Sequence, residues 1–352
     1  DFPDLKEIGF VDSKIKVSGA LYSNLDYEPY AIERDMKITN SLKKYHTQHL
    51  QFKDQVIFGP KEILKDDGNP YTVYTPYKNK WLTKFEKSLI SVNTSLLNNN
   101  FSKEIFDFPD LKEIGFVDSK IKVSDYSLDI LGSYKDFRDF PALDKTSYLS
   151  VHLRFGTVSI REIVKLIAGS DSVFLSELIW REFFMQILYN FPHVASNSFK
   201  TKYDKIVWRN NKDEFKLWCE GKTGYPIVDS GMRQLNETGY MHNRVRMIVA
   251  GFLCKHLLVD WRWGEKYFSQ KLLDYEMSSN NGNWQWAAGT GCDSAPYFRI
   301  FNPFTQQKKF DKDYSYVKKW IKDFDENNYL DYIVDHKFAR KRALDCYKLY
   351  LS

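Results

Sequence analysis

The chain has 352 residues, enough for about two domains at roughly 100–200 residues each. Hydrophobic residues make up 43% and aromatic residues 16%, so a large core is possible and global disorder is excluded. The net charge of +5 is spread over 51 basic and 46 acidic residues, which permits a nucleic-acid partner without arguing for one. The longest apolar stretch, 247–254, is stopped by Lys255 and is far shorter than the roughly 20 residues that cross a bilayer, so no membrane association is predicted.

The four cysteines show no CxxC spacing. This pattern argues against a disulfide scaffold and a zinc ribbon, and it favours reduced thiols in a cytoplasmic protein. No metal site is predicted.

An exact repeat marks the beginning of the chain. The segment DFPDLKEIGFVDSKIKVS occupies residues 1–18 and recurs at 107–124. Two copies with unrelated flanks exclude a solenoid. Because the second copy continues into a long coherent sequence, we interpret residues 1–18 as the displaced copy.

Residues 19–90 predict a partial α/β domain. The apolar runs 20–23 and 55–58 and the β-formers at 72–75 indicate short strands, and 29–45 has the spacing of a surface helix. The prolines within 70–81 predict a loop. Residues 91–124 are interpreted as an interdomain linker, since 91–106 are rich in Asn and Ser. About 70 residues are too few for a complete doubly wound sheet.

Residues 125–352 predict a helical domain, because apolar residues recur at intervals of three and four in 182–189, 245–258 and 314–324. The predicted fold class is therefore α plus α/β. A large all-helical domain follows an incomplete Rossmann-like α/β domain.

Three stretches of this helical region are unusually polar and aromatic at once. In 177–184, helical spacing puts Glu177, Trp180, Arg181 and Phe184 on one face, although an ordinary amphipathic helix with an i,i+4 Glu–Arg pair fits about as well. In 238–247, Asn243 and Met247 share a face while Arg246 is expected to point elsewhere. The third stretch, 272–303, is either a site or an Asn/Gly-rich loop whose tryptophans fill the core; within 13 residues it holds Asp274, Glu276, Asn280, Trp284 and Trp286.

Together with RDFPALDKTSYLS (138–150), KTGYPIVDSGMRQLNETGYMHNRVRM (222–247) and NGNWQWAAGTGCDSAPYFRIFNP (281–303), these stretches resemble the photolyase/cryptochrome family, specifically its class I cyclobutane pyrimidine dimer photolyases. The resemblance covers about 125–345 and, more weakly, 19–90. It implies one non-covalent FAD in the helical domain and a light-driven carbon–carbon lyase. Such an enzyme splits a dimer flipped out of damaged DNA by electron transfer from reduced FAD.

The resemblance also implies roles for individual residues. The positions that match FAD contacts are Tyr134, Thr146, Ser147, Tyr148, Leu149, Ser150, Phe174, Arg246, Asp274, Tyr275, Glu276 and Asn280. Those that match the dimer pocket are Glu177, Trp180, Asn243, Met247 and Trp286. The family's electron-transfer chain matches Trp284, Trp261 and Trp208, and its DNA contacts match Arg138, Arg181, Arg244 and Gln306.

Two alternatives remain open at this point. One is a cryptochrome-like blue-light sensor, for which a partner-binding tail after the helical domain would be expected. The other is a truncated or engineered variant that binds FAD without full activity. Because much of the α/β domain has no counterpart, no antenna chromophore, whether folate or deazaflavin, is expected. The protein is predicted to be a monomer.

Overall fold

The computed structural model describes residues 19–86, 109–169 and 172–351. The repeated segment 1–18 and most of the predicted linker lie outside these ranges. The part of the linker that is described, 109–124, contains no helix or strand.

The α/β part is built around one β–α–β unit. Strand β1 (Ala20–Asn24) pairs in parallel with β2 (Gln48–Phe52), with Ala20 opposite Gln48 and Asn24 opposite Phe52. Helix α1 (Pro29–Lys43) connects the strands, as parallel pairing requires, and begins with proline where no backbone donor is needed. The strand at 20–23 and the helix at 29–45 are thus confirmed.

The incomplete sheet is also confirmed, but the strands predicted at 55–58 and 72–75 and the loop predicted over 70–81 were wrong. Residues 72–75 lead into helix α2 (Tyr74–Lys84) and form no strand, and Pro76 is tolerated because it lies in the first turn. Residues 55–58 are also not a strand, because side chains take the hydrogen bonds that a neighbouring strand would supply. The Glu182 carboxylate accepts from the backbone nitrogens of Ile57 (2.7 Å) and Phe58 (3.1 Å), and Arg181 donates to the Gln55 carbonyl.

From Leu131 onward the described chain is built from helices joined by loops, which confirms the predicted fold class. The helices are α3 (Tyr134–Phe137), α4 (Leu149–Phe155), α5 (Ile160–Ile167), α6 (Ser172–Asn190), α7 (Lys212–Glu220), α8 (Pro226–Thr238), α9 (Asn243–Gly251), α10 (Trp261–Lys271), α11 (Met277–Ala288), α12 (Pro303–Phe310), α13 (Ser315–Trp320) and α14 (His336–Leu351). Short 3-10 turns lie at Leu131–Ser133, Pro141–Leu143, Pro192–Ala195, Thr201–Lys205 and Glu326–Asn328, and a π-helical turn at Phe252–His256.

Helix α6 lies at the centre of the molecule. It is apolar on most sides and packs against α2 of the α/β part and against α11 of the helical part. The approach of α11 is close, since a Cβ at Gly282 would lie 2.2 Å from the Phe184 ring. On its other side α11 presses Trp284 against α10, where a Cβ at Gly264 would lie 2.1 Å from the indole. Both glycines are therefore required by packing.

The carboxylate of Glu182 joins α6 to the α/β part. Besides its two backbone donors, it accepts from the Trp81 indole nitrogen (2.6 Å) and the Tyr77 hydroxyl (3.3 Å). Burial raises the pKa of Glu182 to about 7, although the donated hydrogen bonds oppose the shift. A buried carboxylate with this many donors is stabilising only while all of them are present.

Lys255 is buried beneath the C-terminal helix. Its Nζ donates to the carbonyl of Ala288 (2.6 Å) and lies 3.7 Å from the centre of the Tyr347 ring on α14. Burial lowers the pKa of Lys255 to about 7. The residue that ends the apolar stretch of the sequence is therefore itself part of the core.

The Lys255→Met variant is expected to remove a pH dependence of stability. Lys255 has a pKa of about 7 when folded and 10.5 as its ordinary value, so between these pH values the unfolded chain binds more protons. The unfolding free energy of the parent should therefore rise with pH relative to the variant, by at most about 1.4 kcal/mol per pH unit. Chemical denaturation of both proteins across that range measures the difference, and parallel pH profiles would contradict the assignment.

Within the ranges described, no helix combines the length and the apolar character needed to cross a bilayer.

Candidate functional site

One cavity of about 500 Å³ gathers most of the predicted site residues. This is within the size range of cofactor and ligand sites. From the predicted sets its lining includes Tyr134, Arg138, Ser147, Leu149, Ser150, Phe174, Glu177, Trp180, Arg181, Asn243, Arg244, Arg246, Met247, Asp274, Tyr275, Glu276, Asn280, Trp284 and Trp286. The predicted residues outside the lining are Thr146, Tyr148, Trp208, Trp261 and Gln306.

Helix α6 contributes one continuous stripe to this cavity. Glu177, Trp180, Arg181 and Phe184 all line it, as helical spacing predicts. The alternative of an i,i+4 ion pair within the helix is wrong. Glu177 instead accepts from Arg138 Nη1 at 2.6 Å, and Arg181 donates to the Gln55 carbonyl at 2.6 Å.

An arginine–carboxylate pair forms one wall. Arg246 donates through both terminal nitrogens to Asp274, at 3.2 and 2.8 Å, and Ser150 donates to the same carboxylate at 2.6 Å. The Asp274 side chain is only 4% exposed, so the pair lies in a region of low dielectric constant. Burial alone lowers the pKa of Arg246, but the Asp274 charge outweighs it and the pKa is raised, so the guanidinium stays charged. The expectation that Arg246 points away from Asn243 and Met247 was wrong, since all three line the cavity.

The orientation of the Asn280 amide follows from its partners. Its nitrogen donates to the Glu265 carbonyl (3.2 Å) and to the Glu265 carboxylate (2.9 Å). Because both partners are acceptors, the nitrogen must face them, which leaves the amide oxygen for other contacts. Burial raises the pKa of Glu265, while the bonds from Asn280 and Tyr275 oppose the shift.

Glu276 lines the cavity, but its carboxylate already caps α11. It accepts from the backbone nitrogens and the hydroxyls of Ser278 and Ser279, at 2.7–2.9 Å. A side chain that satisfies four donors at a helix start acts as a capping group. Cofactor contact by Glu276 stays a prediction.

The side chains of Thr146 and Tyr148 turn to Tyr240 rather than into the cavity. Thr146 and Tyr240 share a hydrogen bond of 3.2 Å, and the rings of Tyr148 and Tyr240 lie 4.9 Å apart. Tyr148 has a φ of 53°, in the left-handed region, and its hydroxyl donates to Asp144. The neighbours Ser147, Leu149 and Ser150 do line the cavity, so only some residues of this segment face it.

The predicted DNA-contacting arginines are all engaged with protein groups. Arg244 binds Asp139 at 2.8 Å and lies over the Phe310 ring, while Arg138 holds Glu177 and lies over the Tyr134 ring. Arg181 donates through Nη1 to the Gln55 carbonyl. These contacts therefore stay predictions.

Of the predicted electron-transfer tryptophans, Trp284 alone lines the cavity. Its ring contacts Phe268 (5.0 Å) and Trp218 (6.1 Å). Trp261 is buried at the start of α10, and Trp208 packs 6.0 Å from Tyr347. The order of the three in electron transfer stays a prediction, and Trp218 is an adjacent indole to which sequence reasoning assigned no role.

His242 has a structural place at the start of α9. Its Nδ1 accepts from the Arg244 backbone nitrogen at 3.2 Å, as an N-terminal cap does. Burial lowers the pKa of His242 to about 4, so the ring is neutral at physiological pH.

Sequence reasoning missed three functional neighbours: Glu265 behind Asn280, Asp139 behind Arg244, and Trp218 beside Trp284. Each of these residues lies on a different element from its partner. The number of residues between the two partners matches neither the period of a helix nor that of a strand. Only the folded chain brings them together.

Comparisons with known proteins agree with this geometry. Residues 174–328 match the family described as the FAD-binding domain of DNA photolyase, and residues 11–94 match DNA photolyase. The second match begins inside the repeated segment. The chain is 37% identical to a deoxyribodipyrimidine photo-lyase of Vibrio cholerae over 93% of this chain and 78% of the relative. The Escherichia coli enzyme of that name shows the same identity and the same coverage.

Solved structures of similar proteins share the fold. A class III photolyase from Agrobacterium tumefaciens has a TM-score of 0.83 and 33% sequence identity. The match covers 95% of this chain and 80% of the photolyase chain. An archaeal photolyase from Sulfolobus tokodaii, described with two FAD molecules, has a TM-score of 0.77 and 34% identity over 94% of this chain and 79% of its own. A Synechocystis cryptochrome has a TM-score of 0.76 at 22% identity, over 93% of this chain and 79% of its own, which indicates a shared fold alone.

Proposed function

The chain belongs to the DNA photolyase family, and on that premise we propose that it is an FAD-dependent lyase that repairs cyclobutane pyrimidine dimers in DNA under blue light. The observation that carries the proposal is that one cavity is lined by two chemically different groups of side chains, which we call the polar wall and the aromatic wall. The polar wall comprises the Arg246–Asp274 pair, whose carboxylate is 4% exposed, and the Asn280 amide. The aromatic wall comprises two indoles, a carboxylate and a thioether, which belong to Trp180, Trp286, Glu177 and Met247.

The polar wall fits a flavin. When bound, the reduced flavin supplies the light-activated electron that splits the cyclobutane ring. Arg246 provides a fixed positive charge that would stabilise a negatively charged ring system, and Asp274 holds that charge in place. The free oxygen of Asn280 can accept from a ring N–H, which favours the reduced form. The Ser147 hydroxyl and the backbone N–H groups in the first turn of α4 would supply donors for the pyrophosphate, since the Ser150 hydroxyl already donates to Asp274.

The aromatic wall fits a flipped pyrimidine dimer. Photolyases act on bases taken out of the duplex, and the two flat faces of the dimer would pack on Trp180 and Trp286. Glu177 would hydrogen-bond a base edge, while Asn243 and Met247 complete the pocket. Arg138, Arg181, Arg244 and Gln306 would contact the DNA around it, giving an affinity that falls with salt.

Further parts of the proposal concern class, state and location. The assignment to the class I photolyases stays a prediction, because the similar Agrobacterium tumefaciens structure is a class III photolyase. We propose a monomer in the cytoplasm, which is consistent with the free thiols of all four cysteines, each in the described part of the chain. We also propose one FAD per chain and no antenna chromophore. A flavin-to-protein ratio near two, or a non-flavin band near the ultraviolet edge, would contradict this.

A repair assay tests the function. The purified chain, loaded with FAD and reduced, should restore a dimer-containing oligonucleotide under blue light and leave it unchanged in the dark. Trp286→Leu should abolish most of this repair. Trp263→Leu is the matched control, because that indole lies outside the cavity lining and packs on Phe215. Bound reduced flavin without repair would remove the enzyme assignment and leave the sensor or inactive-variant alternatives.

A further inference from the structure

The indole of Trp180 has one face covered by a residue from the α/β part of the chain. Tyr74, the first residue of α2, stacks on Trp180 with ring centres 3.6 Å apart and planes 8° from parallel. This spacing is full van der Waals contact. Tyr74 is buried and does not line the cavity, so it lies behind the indole rather than inside the site.

This stacking needs support from outside the ring pair. Isolated aromatic pairs prefer offset or edge-to-face arrangements with larger separations. Here the Tyr74 hydroxyl donates to the carbonyl of Ser176 at 2.7 Å. Ser176 precedes Trp180 by one turn of α6, so this hydrogen bond ties the phenol to the same helix that carries the indole.

Other contacts close the remaining sides of the indole. Phe183 meets the Trp180 ring edge-on at 5.6 Å and the Tyr74 ring at 5.8 Å, and Phe184 lies 5.4 Å from Trp180. With Tyr74 stacked on one face and two phenylalanine rings beside it, the indole still lines the cavity. Its plane is therefore fixed before any ligand arrives.

The same tyrosine also contacts the segment that follows Trp286. The Tyr74 backbone nitrogen, at the start of α2, donates to the Asp293 carboxylate at 3.0 Å. Asp293 lies seven residues after Trp286, in the segment that follows α11. No side chain of α2 itself caps this end, so Asp293 supplies the acceptor.

We propose that Tyr74 is a positioning residue for damage recognition, and the inference rests on the function proposed above. It holds the plane of Trp180 so that a flipped base meets a preformed flat surface, making a three-layer stack of base, indole and phenol. Stacking of a base on an aromatic side chain is strong enough to change affinity about tenfold, which corresponds to about 1.4 kcal/mol. Loss of the fixed plane should remove about that factor.

The test compares affinities for a dimer-containing oligonucleotide and for the undamaged oligonucleotide of the same sequence, in the dark and at one salt concentration. Tyr74→Leu removes the stacking ring, and Tyr74→Phe keeps it while losing the hydroxyl. We expect the preference for the dimer to fall about tenfold in Tyr74→Leu and by less than about threefold in Tyr74→Phe. Affinity for undamaged DNA and flavin content should be unchanged.

A double-mutant comparison separates positioning from general support of the fold. If Tyr74 acts through Trp180, adding Tyr74→Leu to Trp180→Leu should reduce the dimer preference no further. Unchanged preference in Tyr74→Leu, an equal loss for damaged and undamaged DNA, or additive losses in the double variant would overturn the inference.

Folding failures are also decisive in this test. Should Tyr74→Leu lose its flavin, Tyr74→Met replaces it, because Met retains an apolar side chain without a flat ring. If neither variant retains flavin, Tyr74 supports the fold as a whole and the proposal is wrong. A parent protein with no preference for the dimer would instead remove the proposed function, and that result is read before any variant is compared.

Discussion

Asp274→Ala should leave the chain unable to retain flavin. The substitution strips a largely buried arginine of its bidentate partner and leaves the Ser150 hydroxyl without its acceptor. We expect flavin occupancy after gel filtration to fall at least about tenfold. Stability should fall by about 2–4 kcal/mol, since removing one member of a buried pair leaves an uncompensated charge. Visible flavin absorbance per protein and chemical denaturation measure the two effects.

The matched control is Asp139→Ala, which removes another carboxylate paired with an arginine. Asp139 binds Arg244 at the same distance of 2.8 Å, but its side chain is more exposed, at 37%. This variant should keep its flavin. Equal flavin loss in both variants would show that Asp274 acts through the fold rather than at the cofactor.

Glu177→Ala should impair repair far more than DNA binding. In the proposed function this carboxylate, which lines the cavity, hydrogen-bonds a base edge during the reaction, whereas most DNA affinity would come from phosphate contacts. Hydrogen bonds that involve a charged group contribute about 1.5–3 kcal/mol, so repair per absorbed photon should fall by about tenfold or more. Affinity for damaged DNA should change by less than about threefold. Single-turnover repair under calibrated light and a dark titration give the two values.

The ion pair with Arg138 provides the control for this variant. Glu177→Ala also releases the Arg138 guanidinium, so Arg138→Gln is needed to isolate the effect of losing the pair. Arg138→Gln should weaken DNA binding and leave repair per photon of the bound complex intact. The role assigned to Glu177 is untenable if Glu177→Ala reduces binding and repair by the same factor.

Local periodicity predicted the helical elements well and the long-range pairings poorly. The stripe from Glu177 to Phe184 on α6 follows from a period that a helix imposes on its own residues. The partner of Glu177 does not, because Arg138 lies 39 residues away and no local pattern connects the two. For the same reason an ion pair within the helix was a reasonable but wrong alternative.

The α/β part was harder to predict, since tertiary contacts override strand propensity there. Residues 55–58 have the composition of a strand, but Glu182 and Arg181 bind their backbone from more than 120 residues away. The side chains of Thr146 and Tyr148 matched cofactor contacts in sequence and yet turn to Tyr240. The sign of a backbone angle such as that of Tyr148 cannot be read from residue type alone.

The hydrogen bonds between Glu182 and the loop before α2 affect how the chain denatures. A parallel pair of short strands with one connecting helix does not hold together in water without further packing. The loop that follows these strands is bound at the backbone of Ile57 and Phe58 by Glu182 of α6, and α6 belongs to the helical part. Tryptophan fluorescence, to which Trp81 next to that carboxylate contributes, and visible absorbance of the flavin should therefore report one shared melting transition instead of two.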